Sequence, residues 1–178
     1  MSRLLEENEV FKCCRFNVVE KQYEREDGVK YGRFTVNPGD AVIVLPITED
    51  GEIVFIEQMR ESVGKVCLEL PAGMIDREEA PIDAARRELE EETGIIAKKI
   101  ELLMDGYPSA GYTSERIYIY LAKDFEEGKV HLDETEEIAS VKKISIDKAL
   151  NLISENYFEE VNLVVAILMY YYKYCSNK

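Results

Sequence analysis

Three glutamates, Glu88, Glu91 and Glu92, have the spacing i, i+3 and i+4 that places side chains on one face of a helix. Carboxylates this close repel one another, at a cost of roughly 0.2–0.5 kcal/mol per pair even on an exposed helix. A divalent cation would reverse that cost, because a hard ion such as Mg²⁺ prefers oxygen ligands and keeps several waters. A solvated Glu-rich face shows the same spacing, and the triplet taken alone favours that interpretation.

The residues around the triplet predict a helix that begins near Pro81 and ends at Gly94. Proline suits the first helical position, where its missing N–H costs nothing, and glycine suits a left-handed C-terminal cap. Between them, Ile82, Ala85 and Leu89 recur at helical spacing and predict an apolar stripe that packs on the core.

The whole stretch resembles the Nudix box, which is Gly, five residues, Glu, seven residues, then Arg-Glu-apolar-any-Glu-Glu-any-Gly-apolar. The fixed positions are all filled, by Gly73, Glu79, Arg87, Glu88, Leu89, Glu91, Glu92, Gly94 and Ile95. The resemblance implies a Nudix hydrolase, which cleaves a nucleoside diphosphate linked to another group and uses Mg²⁺ or Mn²⁺. It decides the matter against the solvated face.

Carried over residue by residue, the resemblance makes Glu88 and Glu92 metal ligands, Glu91 a third, and the carbonyl of Ala72 a further one. Two neighbours could assist these ligands. Glu79, in the loop before the helix, could fold back toward the same ion, and Arg87 could orient the acids through charge-assisted hydrogen bonds.

Three segments outside the box resemble the ADP-ribose pyrophosphatase branch of that family. They are Glu57 to Arg60, Glu69 to Gly73, and the loop from Tyr107 to Glu115. The loop departs from the branch pattern at Ala110, where a second proline is usual, and this weakens the substrate assignment alone. The branch implies Mg²⁺-dependent hydrolysis of ADP-ribose or a similar ADP-sugar to AMP and a sugar phosphate.

Two residues of these segments are candidates for substrate binding, and each has a structural alternative. Arg60 could hold a phosphate or the terminal sugar, or it could be a surface arginine paired with Glu57 or Glu61. Glu115 could help to bind metal or substrate, or it could be a loop acid beside Arg116.

The general base is expected outside the box, since a carboxylate bound to Mg²⁺ has its lone pairs committed and its pKa lowered. The acidic stretch from His131 to Ile138 resembles the segment that supplies a mobile catalytic glutamate in ADP-ribose pyrophosphatases. The alignment points to Glu136, with Glu134 second and Glu115 next. The alternative is a solvated acidic loop.

Charge and composition exclude several classes of partner. The 178 residues carry a net charge of −14, which disfavours nucleic acid and anionic membranes as partners.

No apolar signal segment follows the N-terminus, and the apolar run Leu163 to Tyr172 is too short to span a bilayer. The four cysteines lack a Cys-x-x-Cys pair and are interpreted as buried reduced thiols, which favours a cytoplasmic protein.

The elements that must position these residues alternate between strands and helices, which predicts an α/β (α+β) sandwich of helices packed on a mixed sheet, the Nudix fold. We expect an N-terminal β unit at residues 1–38 and the hydrolase domain at 39–178. A hairpin, from Ala41 to Ile47 and back along Glu52 to Glu57, should form the front of the core sheet. Close relatives in the branch are dimers that cross their N-terminal strands, which implies a homodimer.

Two other functions remain open from the sequence. One is a pyrophosphatase for a different nucleoside diphosphate sugar or derivative. The other is a non-catalytic Nudix module that binds a nucleotide and regulates a partner. Such modules typically lose box acids, and this chain keeps all of them.

Overall fold

The computed structural model describes residues 2–128 and 138–176. These residues divide into two compact units, one made of Met1–Asp40 and Gly106–Ile117, the other of Ala41–Asp105 and Tyr118–Lys178. Among the described helices, none is both long and apolar enough to cross a membrane.

The smaller unit is built on an antiparallel three-stranded sheet in the order β1-β2-β3. Its strands are β1 (Arg3–Lys12), β2 (Asn17–Glu24) and β3 (Lys30–Asn37). A turn at residues 26–28, Glu-Asp-Gly, joins the last two strands, and Gly28 there has φ +80°, a left-handed conformation that favours glycine. The loop 107–115 joins this unit, since the Val36 N–H donates to the Tyr112 carbonyl at 2.8 Å and the Ser114 N–H donates back to the Val36 carbonyl at 3.0 Å.

The larger unit has two sheets, a three-stranded one in the order β10-β5-β6 and a four-stranded one in the order β7-β4-β9-β8. In chain order the strands are β4 (Ala41–Pro46), β5 (Glu52–Arg60), β6 (Lys65–Glu69), β7 (Ala72–Met74), β8 (Ile95–Gly106), β9 (Ile117–Glu127) and β10 (Ile138–Ser145). The helices are α1 (Pro81–Thr93), α2 (Ile146–Ser154) and α3 (Val161–Tyr170), and a π-helical turn, Tyr171–Cys175, follows α3.

The predicted hairpin of the core is wrong, because β4 and β5 belong to different sheets, and the bridge between Ile47, just after β4, and Ile53 is an isolated one. β4 is buried at five of its six positions, and β5 is buried from Ile53 to Ile56 and at Gln58. A strand that is apolar on both faces is typical of the centre of a sheet, and each of these strands has neighbours on both sides.

One smaller expectation also differs from the structure. The four cysteines are free, as predicted, but Cys13 and Cys14 are exposed and Cys67 and Cys175 are half-buried. Helix α3 changes to π-helical hydrogen bonding at Tyr171. Helix α2 is capped by Ser145, whose Oγ accepts the Lys148 N–H.

Candidate active site

Helix α1 carries the acids of the site and has the ends that the sequence predicts. Pro81 is its first residue, and Gly94 ends it at φ +70° with its N–H donated to the Glu90 carbonyl at 2.8 Å. Ala84, Ala85 and Leu89 are buried against a cluster that includes Val42 and Val44 of β4. Ile82, which was expected in this stripe, is exposed, because the buried face starts at Ala84.

Glu88 and Glu92 are the two buried acids of this helix, with 6% and 0% of their surface exposed. Glu92 Oε2 accepts the N–H of Ala72 at 2.9 Å, so a hydrogen bond to a buried acid links β7 to the helix. The second acid meets the same strand: a Cβ on Gly73 would lie 2.0 Å from Glu88 Oε1, so only glycine leaves room for this carboxylate.

Arg87 holds three carboxylates at once. Its Nε and Nη2 donate to the two oxygens of Glu79 at 3.0 and 2.9 Å, and its Nη1 donates to Glu88 at 2.7 Å and Glu91 at 3.1 Å. Nη2 also donates to the Met74 carbonyl at 3.0 Å. These bonds raise the pKa of Arg87 and lower the pKa of Glu79. The predicted orienting role of Arg87 is matched by this geometry, and Glu79 folds back onto the arginine.

The donor set fits a hard divalent cation. Carboxylate and carbonyl oxygens are the ligands that Mg²⁺ prefers, and a buried carboxylate is stable as an anion only beside a cation or strong donors. The Gly73 backbone lies close to the Glu88 carboxylate. A cation bound there could therefore contact both a carboxylate and the main chain. Within residues 2–128 and 138–176, no three acid, His or Cys side chains are already gathered as a metal centre. The guanidinium of Arg87 draws Glu91 and part of Glu88 to itself.

Arg60 is paired with Glu69, and not with Glu57 or Glu61 as the structural alternative supposed. Its Nε donates to Glu69 Oε1 at 2.9 Å and its Nη2 to Oε2 at 2.6 Å, a bidentate pair between β5 and β6. Glu57 is held instead by Ser140 and Lys142 of β10. Glu69 is only 5% exposed, and as a single residue it was not predicted to belong to the site. The sequence signal available for it is an acid nine residues after Arg60, at the end of a strand that is otherwise not buried.

A cleft of about 430 Å³ opens beside this pair. One wall is β6 and the loop before it, and the other is the segment that leads into α3. The residues that bear on its chemistry are Arg60, Lys65, Glu69, Tyr157, Phe158 and Glu160. Burial, with the charge of Glu69 beside it, raises the pKa of Glu160 to about 7.

Glu115 lies in the smaller unit, on the 107–115 loop. Its N–H donates to Thr113 Oγ1 at 3.1 Å, and burial together with the charge of Asp40 raises the pKa of its carboxyl. The neighbouring Arg116 guanidinium lies 5.5 Å from the centroid of the Tyr107 ring. His131, Glu134 and Glu136, the segment predicted to supply the general base, lie outside the described residues.

Comparison with known proteins supplies a family. A model of the NUDIX domain matches residues 37–164. The ADP-ribose pyrophosphatase of Bacillus subtilis (strain 168) is 35% identical over 133 residues, which cover 74% of this chain and 71% of that protein. The methanol dehydrogenase activator of Bacillus methanolicus is 37% identical, also over 133 residues and with the same two coverages.

The fold is matched by a solved structure as well. A crystal structure of an ADP compounds hydrolase superposes with a TM-score of 0.84 at 25% identity, covering 94% of this chain and 91% of that one. This agreement confirms the predicted fold class, helices on a mixed sheet with an antiparallel N-terminal strand unit.

Proposed function

Since this chain belongs to the Nudix family and is a hydrolase of pyrophosphate bonds, we propose that its substrate is ADP-ribose or a similar ADP-sugar, cleaved to AMP and a sugar phosphate. This proposal for the substrate class depends on one observation. A similar protein is named an ADP-ribose pyrophosphatase, and a similar solved structure is named an ADP compounds hydrolase. The bidentate Arg60–Glu69 pair, within the segments that resemble the pyrophosphatase branch, supports the same class.

The cation would be Mg²⁺, or Mn²⁺ in its place, held by Glu88, Glu91, Glu92 and the Ala72 carbonyl. It would supply positive charge to neutralise the diphosphate and would make water a stronger acid. The chain's own residues do the rest. Arg87 orients the acids through its hydrogen bonds, and Arg60 offers its guanidinium to a phosphate or a sugar.

The proton of the attacking water goes to a glutamate outside the box, Glu136 with Glu134 as the second choice. A positioned general base is worth about 10²–10⁴ in rate, so Glu136→Gln should lower kcat by that factor while Mg²⁺ and substrate affinity change little. A loss of less than about fivefold, with Glu134→Gln inactive instead, would move the role by two residues. If both variants stay active, Glu115 is the next residue to test.

The substrate class is tested by phosphate release from a panel of nucleotide sugars and nucleoside triphosphates, coupled to a phosphatase with Mg²⁺. We expect ADP-ribose to give the highest kcat/KM, and Glu92→Gln serves as the inactive control. Preference for GDP-mannose or a dinucleoside polyphosphate would contradict the proposal and would make Ala110 the marker of a changed substrate.

A regulatory role is the second candidate, favoured by the relative named as a methanol dehydrogenase activator. It would act by binding a nucleotide without turning it over. The complete set of box acids supports catalysis instead. Wild-type protein that binds ADP-ribose but releases no AMP in the same panel would favour the regulator.

We also propose a homodimer formed through the N-terminal β unit of residues 1–38. Strand β1 is exposed at all ten positions, and Leu4, Leu5, Val10 and Phe11 leave an apolar edge strand uncovered in one copy of the chain. Such edges are usually paired or covered. Light scattering should give twice the chain mass at micromolar concentration, and Phe11→Glu should shift it to the monomer. A monomeric wild type would refute this assembly.

A further inference from the structure

The cleft beside β6 contains a carboxyl group, that of Glu160, which takes no part in the metal site or in the Arg60–Glu69 pair. Its volume of about 430 Å³ lies within the range of about 300–1,000 Å³ typical of small-molecule sites. Its walls combine the apolar side chains of Val66, Leu68 and Phe158 with the charged side chains of Arg60, Lys65, Glu69, Glu159 and Glu160. It is therefore large enough for a sugar and mixed in polarity, as sugar sites are.

The charges that line the cleft are paired with one exception. Arg60 holds Glu69 through two parallel hydrogen bonds, and Lys65 is hydrogen-bonded to Glu159. Glu160 is the exception, because no cation in the described part of the chain is hydrogen-bonded to it. Asn162 is hydrogen-bonded to its carboxyl, but its Oε2 is buried from solvent and accepts no hydrogen bond from the residues that the structure describes. A buried carboxyl oxygen without a donor is destabilising, so a ligand that brings a donor is favoured there.

The charges that line the cleft indicate what kind of ligand could donate this hydrogen bond. An anion is disfavoured inside the cleft, because three carboxylates, Glu69, Glu159 and Glu160, line it against two cations that each already pair with one of them. A cation is disfavoured by the Arg60 guanidinium, whose charge acts on Glu160. A neutral group with several hydroxyls meets neither penalty, and its O–H groups donate strong hydrogen bonds to a carboxylate.

The aromatic side chains beside Glu160 support a ring-shaped, hydroxylated ligand. Phe158 is buried and stacks on Phe55 with the ring centroids 5.7 Å apart. Tyr157 packs edge-on against Phe158, also at 5.7 Å, and keeps 57% of its surface exposed. This exposed ring offers an apolar face with a polar tip, which suits the C–H face and the hydroxyls of a sugar.

We propose that this cleft binds the sugar attached to the far end of the nucleoside diphosphate, with Glu160 accepting hydrogen bonds from its hydroxyls. The inference rests on the proposed function for the identity of the ligand. The place fits, since Glu69 is three residues before Ala72, whose N–H donates to Glu92 Oε2 at 2.9 Å. The cleft thus adjoins the acids that would hold the cation bound to the diphosphate.

The two products separate the two ends of the substrate and allow a test without turnover. Ribose 5-phosphate carries the far sugar and AMP carries the nucleoside, and calorimetric titration gives the affinity for each. Glu160→Ala should weaken ribose 5-phosphate by about 10–100-fold, the usual worth of a hydrogen bond to a charged group. AMP affinity should change less than about twofold. Glu160→Gln, which keeps an acceptor oxygen but loses the charge, should fall between wild type and Glu160→Ala.

The control is Glu155→Ala, an exposed acid five residues earlier whose variant should bind both products as the wild type does. Circular dichroism and the melting temperature establish that each variant is folded. Loss of AMP affinity in Glu160→Ala would place the nucleoside in the cleft and overturn the proposal. Unchanged affinity for both products would overturn it as well.

Failure of this inference is distinguishable from failure of the proposed function. If the wild type does not hydrolyse ADP-ribose while Glu160→Ala still loses ribose 5-phosphate, the sugar subsite stands and the substrate assignment falls. If ADP-ribose is hydrolysed and Glu160→Ala binds ribose 5-phosphate normally, the assignment stands and the subsite falls.

Discussion

Arg87 and Arg60 each lie among glutamates in the larger unit, and the chain assembles the two clusters in different ways. The acids bound to Arg87 are Glu79, Glu88 and Glu91, all within eight residues of it. The acids around Arg60 come from two further segments, Glu69 at the end of β6 and Glu160 before α3. One cluster is local in sequence and the other is brought together by the sheet and a distant helix.

The clusters also differ in how well their charges are satisfied. Arg87 uses its guanidinium on three carboxylates and lowers the pKa of Glu79. Arg60 donates to Glu69 through Nε and Nη2. Glu160 is left without such a bond among the described residues, and burial raises its pKa to about 7. A pre-ordered set of anions suits a cation, and a carboxyl left over in a cleft suits a hydroxyl donor. The contrast separates the metal end of the site from the sugar end.

The largest difference in kcat between variants of the two clusters is expected from Glu92→Gln. It removes a buried anion beside the Arg87 cluster and keeps an oxygen to accept the Ala72 N–H. We expect kcat to fall by more than about 10²–10³-fold, the worth of a positioned charge-stabilising group. Thermal stability without Mg²⁺ should hold or rise, because repulsion on the acid face is relieved.

The matched control is Glu90→Gln on the same helix, at a variable position of the box. It should retain wild-type turnover under the same Mg²⁺ concentration. Near wild-type activity in Glu92→Gln would remove the metal role from the Arg87 end of the site and would contradict the box assignment.

A second, smaller effect is expected from Gly73→Ala. The new methyl would lie 2.0 Å from Glu88 Oε1, so this carboxylate must move from the position that Arg87 gives it. Displacement of a catalytic group by about 1 Å can cost up to 10²-fold, and we expect a loss of about 10–100-fold in kcat. Steady-state kinetics at saturating Mg²⁺ measure it.

Gly106→Ala is the control, since its added Cβ has no atom within 4 Å. It tests whether a methyl group added at a non-helical glycine affects kcat by itself. If Gly73→Ala were as active as this control, the close approach of β7 to Glu88 would have no role in ordering the acids.

How much of this the sequence could predict follows the same division. Local sequence predicts the ends of α1, the αL cap at Gly94 and the orienting role of Arg87, because these features depend on residues a few positions apart. At that distance helix geometry determines which side chains lie close together. The Arg60–Glu69 pair depends on the register of β5 with β6, in which Ile56 faces Glu69 and Arg60 faces Lys65. No local pattern gives that register.

The false hairpin has the same origin. A continuous apolar run such as Ala41 to Leu45 identifies a strand, and a Gly-containing turn after it suggests that the next strand is its partner. The partners are chosen by tertiary packing, and β4 pairs with β7 and β9 instead. Glu160 was not singled out for the same reason, because its burial depends on segments about a hundred residues away in the chain.

A third change weakens the Arg87 cluster without removing its charge. Lysine cannot reproduce the fork that binds both Glu79 oxygens, so Arg87→Lys should release Glu79 and Glu91. We expect a cost of about 2 kcal/mol in the free energy of unfolding, reduced from the cost of a fully buried pair because the arginine is 30% exposed. Urea denaturation without metal measures it, and Mg²⁺ should restore part of the loss.

Arg86→Lys is its control, since Arg86 makes a single hydrogen bond to the Ala97 carbonyl among those the structure describes. A cost no larger than in this neighbour would mean that the acids order themselves without the arginine.

The smallest effect is a difference in pH dependence, and its sign differs between the clusters. The folded pKa of Glu160 is about 7, raised above the ordinary value of 4.5 by burial and by Glu69, against the opposing effects of Arg60 and an Asn162 hydrogen bond. Between these two values the folded chain binds more protons than the unfolded chain, so stability falls as pH rises from about 4.5 to 7. Glu79, with a lowered pKa, does the opposite: its contribution is present at neutral pH and is lost as pH falls below its unfolded pKa.

Glu160→Gln removes the first of these dependences and leaves the second. Urea denaturation at pH 5 and pH 8 should show that the wild type loses about 1–2 kcal/mol more than the variant between the two pH values, since one pKa unit is worth about 1.4 kcal/mol and water in the open cleft screens part of the shift. The difference between the two proteins cancels the other acids of the chain. Glu155→Gln, an exposed acid, should behave as the wild type. Equal pH dependence in wild type and Glu160→Gln would mean that Glu160 ionises as freely as a surface acid, and the cleft would then offer no unsatisfied carboxyl for a sugar to bind.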